Sequence, residues 1–146
     1  MSATSYSMPI VVDPSDIDFM GHVNNSRYLG WVQDVVLSHW KAHAPADAVA
    51  SRLWVALKHE ITYRRPAFLG DEVIAHTVLE KVRGARAYYS TIIERTLDKG
   101  AEILAEIESS WCCVDAESLR PARIGEQLQK TFNANMAAQP TGDQAG

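Results

Sequence analysis

Asp16-Ile17-Asp18-Phe19-Met20-Gly21-His22-Val23-Asn24-Asn25-Ser26-Arg27-Tyr28 holds more chemical information than any other stretch of the 146-residue chain. Two acids, a Gly, a His and two Asn run directly into a helical pattern that starts near Ser26. Asn is a strong helix N-cap because its side-chain oxygen accepts an orphan backbone N–H, and Asn24 is the expected cap. The first helical turn then offers free N–H donors and the positive end of the helix dipole, a few residues from the Asp18 carboxylate. A carboxylate that can attack a carbonyl or activate water, beside donors for a developing oxyanion, is what acyl transfer requires.

Outward from this stretch the chain alternates between clear periodicities. Tyr28, Trp31, Val32, Val35, Val36 and His39 recur at three- and four-residue steps, which predicts a helix from Ser26 to about His43, ended by Pro45. Upstream, Ser5 to Val12 reads as a first strand, and Pro9 favours a place at a sheet edge. Downstream, Leu53, Val55, Leu57, Ile61 and Tyr63 alternate with Trp54, Ala56, Lys58, Glu60 and Thr62, so one apolar face along a long strand is expected. Glu72 to Val82 and Arg86 to Leu97 follow around an Arg83-Gly84 turn, and Asp98-Lys99-Gly100 marks a second hairpin. The last strand, Glu102 to Val114, sets Ile103, Ala105, Ile107 and Trp111 against Glu102, Glu106 and Glu108. A short helix from about Ile124 to Phe132 is expected to close a single domain over residues 1–133. Residues 134–146 are small and polar and read as a disordered tail.

Composition narrows the function classes. At 47% hydrophobic and 22% charged residues the chain suits a globular domain with its own core. A net charge of −4 argues against nucleic acid as partner. No apolar run is long enough to span a membrane, and Met1 to Met8 lacks the pattern of a signal peptide, so a cytoplasmic protein is expected. Cys112 and Cys113 are adjacent and read as two buried structural thiols, with no disulfide framework or zinc spacing.

The opening stretch resembles the active-site loop of the hotdog-fold thioesterases. Asp16-x-Asp18-x-x-Gly21 followed by Tyr28 is similar to the 4-hydroxybenzoyl-CoA thioesterase-like group of bacterial acyl-CoA enzymes. Asp18-x-x-x-His22-Val23-Asn24-Asn25-x-x-Tyr28-Leu29-Gly30-Trp31, with Thr62-Tyr63-Arg64-Arg65 downstream, is similar to the plant acyl-ACP thioesterases. The likeness covers roughly residues 8 to 120. Element order alone supports an α+β class; the resemblance implies the hotdog fold, a curved antiparallel sheet of about five strands around a long central helix.

The resemblance also implies roles. Asp18 aligns with the catalytic carboxylate, as nucleophile or general base, and Asn25 with the residue whose backbone N–H polarises the thioester oxygen. Asp16 is expected to order the loop. His22 matches a member of the plant catalytic set, with loop ordering as its alternative. Met20 and Pro66 stand where the plant pattern has Asn and Glu, so the bacterial, Asp-centred mechanism fits better. Lys81, Arg83 and Arg86 crowd one hairpin, the region that meets CoA phosphates in related enzymes; Arg64 and Arg65 are a second candidate pair. Tyr28 is a candidate lining residue of the substrate pocket. The implied activity is hydrolysis of acyl-CoA to a free acid and CoA, without metal or redox cofactor. Alternatives are an acyl-ACP thioesterase and a non-catalytic acyl-binding hotdog protein. An open sheet edge, together with the resemblance, implies a homodimer or homotetramer with sites at the subunit interface.

Overall fold

Alternating apolar residues draw the chain into strands β1 (Ser5–Ile10), β2 (Arg52–Tyr63), β3 (Val73–Arg83), β4 (Arg86–Thr96) and β5 (Ala101–Asp115), with helices α1 (Arg27–His43) and α2 (Ala46–Ser51) between the first two strands. The structure, a computed structural model, describes residues 4–125. The five strands form one antiparallel sheet in the order β1-β3-β4-β5-β2. This is the expected α+β architecture, and strand ends lie within about two residues of those read from periodicity. Helix α2 was not expected; Pro45 stops α1 and then caps this short second helix. Of the expected closing helix only Ile124 and Gly125 are described, and neither is helical; its remainder and the tail lie outside the described residues.

Helix α1 buries Tyr28, Trp31, Val32, Val35, Val36 and Trp40 against Ala75, Leu79, Ala87, Tyr89, Ile93, Ile107 and Trp111 of the sheet. Each large side chain so enclosed contributes about 1.5–3 kcal/mol. His39 is fully buried among them, with Nδ1 2.7 Å from the Tyr89 hydroxyl. No helix among the described residues is long and apolar enough to cross a membrane.

Two β-bulges overturn the expected strand faces. In β2 the register slips between Ala56 and Lys58, leaving Leu57 as the extra residue. Trp54 and Ala56 point to the core before the slip, His59 and Ile61 after it. Leu53, Val55 and Leu57 therefore lie on the outer face, roughly half exposed, and Ile61 does not share it. In β5 the slip falls at Leu104, so Ile103 faces outward while Ala105, Ile107 and Trp111 face the core. The cost of the second bulge is offset locally, because the Leu104 carbonyl accepts the N–H groups of both Arg64 and Arg65, at 2.8 and 3.2 Å. Cys113 is buried, and Cys112, on the opposite face, is half-buried.

Candidate active site

The loop between β1 and α1 is built by short-range capping. A 3-10 turn over Pro14–Asp16 is closed by a reciprocal box: Asp13 accepts the Ser15 N–H, and Asp16 accepts the Asp13 N–H at 2.9 Å. Asp16 is buried and pairs with Arg27 at 3.3 Å, so it orders the loop as expected. A narrow hairpin follows, with Ile17 bridged to Val23 and the Asp18 N–H donating to the His22 carbonyl at 3.0 Å. Gly21 closes the turn at φ 87°, a left-handed conformation costly for other residues, and donates to the Asp18 carbonyl.

Asp18 is half-buried within this frame. Its Oδ1 accepts the Met20 N–H at 2.9 Å, while Oδ2 has no partner among the described residues. One carboxylate oxygen is thus held and the other is available.

The start of α1 supplies the donor. The Asn24 side chain accepts the Ser26 N–H and hydroxyl, at 2.9 and 2.7 Å, one step before the helix; Ser26, the formal N-cap, makes no side-chain cap bond. Arg27 and Tyr28 donate their N–H groups to the carbonyls of Asn24 and Asn25. The Asn25 N–H has no partner among the described residues. It is an unsatisfied donor at a helix N-terminus, the type of group that receives a developing negative charge.

Tyr63, to which the sequence reading assigned no role, fixes this peptide from the far end of β2. Its hydroxyl donates to the Asn25 carbonyl at 3.0 Å, and its ring meets Tyr28 edge-on with centroids 5.3 Å apart. The only signal for Tyr63 in the sequence was its place in the Thr62-Tyr63-Arg64-Arg65 run. Tyr28 itself lies in the core, 1% exposed, between Tyr63 and Trp31. Burial pushes its phenol up in pKa.

His22 makes its contacts elsewhere than at the carboxylate. Its Nδ1 lies 3.4 Å from the Val23 carbonyl and its ring packs edge-on against Phe68; no side-chain bond joins it to Asp18 among the described residues.

The candidate cations divide into two groups. Arg64 pairs with Glu106 at 2.9 Å and Arg65 with Glu102 at 3.3 Å. Arg95 bonds Asp71, Glu102 and the Pro66 carbonyl, and holds the Glu102 carboxyl below its ordinary pKa. Arg83 and Arg86, facing each other across the β3–β4 turn, are exposed and have no acidic partner among the described residues. Lys81 sits over the Tyr88 ring, 4.8 Å from its centroid.

Comparisons with known proteins agree with this architecture. The family model described as the Thioesterase-like superfamily matches residues 12–132. The long-chain acyl-CoA thioesterase FadM of Escherichia coli (strain K12) is 24% identical over 119 residues, covering 78% of this chain and 86% of that protein. Among solved structures, DHNA-CoA thioesterase from Staphylococcus aureus superposes with a TM-score of 0.79 at 18% identity, over 96% of each chain. A mutant 4-hydroxybenzoyl CoA thioesterase complexed with 4-hydroxybenzoyl CoA gives a TM-score of 0.79 at 14% identity, over 88% of this chain and 99% of that one. These likenesses place the sheet and helix in the hotdog fold.

Proposed function

Because the chain belongs to the Thioesterase-like superfamily and is a thioester hydrolase of that family, we propose that it cleaves acyl-CoA to a free carboxylic acid and CoA. The observation that carries the chemistry is that, among the described residues, Asp18 Oδ2 and the Asn25 N–H, on one braced loop, are both without a partner. Asp18 attacks the thioester carbonyl or takes a proton from the water that does. Asn25 donates its N–H to the oxyanion, a contact worth about 3 kcal/mol in the transition state. The thiolate leaves and is reprotonated; where Asp18 itself attacked, water then cleaves the aspartyl–acyl anhydride, releasing the carboxylic acid and restoring the carboxylate. His22, with Nδ1 near a backbone carbonyl, orders the loop in this reading.

CoA rather than acyl-ACP is favoured by the likeness to the long-chain acyl-CoA thioesterase FadM and by Arg83 and Arg86, whose planar forks suit phosphate and which no acid among the described residues occupies. Lys81 stands beside them. Action without metal or redox cofactor, and in the cytoplasm, belongs to the same reading.

Assembly is part of the proposal. Strand β2 lies at a sheet edge and carries Leu53, Val55 and Leu57 outward, at 48, 48 and 46% exposure. An open edge with an apolar flank is well suited to a second copy, and we place two such chains, or a dimer of dimers, in the active form. Light scattering at micromolar concentration should give at least twice the mass of one chain; a fully active monomer would contradict the assembly.

The deciding experiment is a thiol-release assay over short, long and aromatic acyl-CoAs and an acyl-ACP, run with the native protein and Asp18→Asn. Turnover of at least one acyl-CoA that falls ~100-fold or more in the variant is expected, the range for losing a positioned base. Binding without turnover in the native protein would turn the reading to an acyl-binding protein.

A further inference from the structure

We propose that Ser7 is a second nucleophile, activated by His76 and Glu94, which accepts an acyl group from an activated ester. The three side chains lie on the sheet face turned away from α1, one from each of β1, β3 and β4, and share nothing with the Asp18 loop. Ser7 stands opposite His76 in the β1–β3 register, with Oγ 2.6 Å from Nδ1. On the other side of the ring, His76 Nε2 is 3.2 Å from Glu94 Oε2.

The direction of the relay follows from what each group can do. An ionised carboxylate only accepts hydrogen bonds, so Glu94 requires a proton on Nε2. Neutral His76 then presents its lone pair at Nδ1, and the Ser7 hydroxyl must be the donor. This is the arrangement in which imidazole serves as general base to a serine and the acid fixes its tautomer. Exposure runs in the useful order, with Ser7 exposed, the His76 side chain 39% exposed and the Glu94 side chain 24%.

The edge position of β1 supplies an oxyanion donor. The Leu79 N–H donates to the Thr4 carbonyl, which marks Thr4 and Leu79 as a hydrogen-bonded pair. Such pairs alternate with non-hydrogen-bonded ones, so Ser7 and His76 form a non-hydrogen-bonded pair. The Ser7 N–H therefore points off the free edge of the sheet, away from β3. Two residue pairs along, on the same face, Pro9 and Ile74 begin a shallow trough of about 360 Å³ that also includes Val11, with Asp71 and Glu72 in its wall, a bed for the acyl chain.

In the step, the Ser7 Oγ–carbonyl bond forms and the bond from that carbonyl to the alkoxide or thiolate breaks. The hydroxyl proton passes to His76 Nδ1 and then to the departing oxygen or sulfur. The product is an O-acyl serine, and Glu94 holds the transient imidazolium.

The test uses the whole protein with two probes, 4-nitrophenyl acetate and a fluorophosphonate, read by intact mass and by fragmentation that locates the adduct. One acetyl or phosphonyl group on Ser7 is expected, the phosphonyl adduct persisting even where the acetyl group is hydrolysed. His76→Asn should slow its formation ~100-fold or more, the scale of a lost general base, and Glu94→Gln should slow it less. The side chains are on the surface, so the variants should keep the native far-UV spectrum, and the adduct on the unaltered protein decides the first point without them. Absence of the phosphonyl adduct from Ser7, or equal labelling in His76→Asn, would overturn the proposal.

Discussion

The loop over residues 16–28 and the hairpin over residues 81–86 both carry charges to which the proposed function assigns a role, yet they are held in opposite ways. In the loop, Asp16 is ion-paired, Asp18 is bonded at its backbone and at one oxygen, and Tyr63 secures the Asn25 carbonyl. In the hairpin, Arg83 and Arg86 extend from a two-residue turn with no acid beside them among the described residues. A group that reacts must be placed before substrate arrives, because misplacement by about 1 Å can cost 100-fold. A group that only grips phosphate can be ordered by the ligand. The difference predicts that changes in the loop alter kcat and changes in the hairpin alter KM.

The strongest test of that division is Asp18→Asn, which keeps the size of the side chain and removes its charge and basicity. Its kcat should fall at least ~100-fold with KM little changed, measured by steady-state thiol release. His22→Ala should cost far less; equal losses in the two variants would move the chemistry toward the imidazole. Next in size is Arg83→Ala with Arg86→Ala. Losing charged hydrogen bonds worth about 1.5–3 kcal/mol each should raise KM for acyl-CoA ~10-fold or more and leave kcat alone. An unchanged KM would remove the hairpin from the CoA site.

A smaller effect is expected from Tyr63→Phe. It deletes one hydrogen bond, worth about 0.5–1.5 kcal/mol, and leaves the ring against Tyr28. A loss of roughly 2- to 10-fold in kcat at constant KM would extend the braced region to the end of β2; a KM effect alone would not. Last comes Arg64→Ala. Its pair with Glu106 is about half exposed on both sides, so thermal unfolding should show a loss under about 1 kcal/mol, and KM should not move. A large KM effect here would mean that the paired arginines, and not the free ones, meet the substrate.

How much of this was legible in the chain follows from the range of each interaction. Helix α1 and the succession of strands along the chain rest on local periodicity and turn residues, and they were readable; the order of the strands within the sheet was not. So were the position of the loop after Pro14 and the approximate start of α1, because capping and tight turns involve residues within a few positions of one another, although the cap falls at Ser26 and not at the expected Asn24. The bulges at Leu57 and Leu104 were hidden, since apolar residues continue past each slip and imitate one unbroken face. The pairing of Arg64 with Glu106 joins positions 42 residues apart, and nothing local foretells it. Helix α2, with the sequence Ala-Asp-Ala-Val-Ala-Ser, buries no residue and leaves no periodic trace.

The extra residue in β2 works as a phase shift in the strand. Upstream of Leu57, odd-numbered side chains face outward; downstream, odd-numbered side chains face the core, and Tyr63 is one of them. Were Leu57 held in regular alternation instead of bulging, His59, Ile61 and Tyr63 would turn to the opposite side, and the Tyr63 hydroxyl would leave the Asn25 carbonyl although no residue of the loop had been touched. Deleting Leu57 joins the Ala56–Trp111 and Lys58–Ser110 pairs without a slip and keeps those side chains where they are, whereas one residue inserted after Lys58 reverses them. A one-residue count in the strand thus sets the alignment of a peptide at the head of the helix, and an insertion there should act on the reaction as though it had been made in the loop.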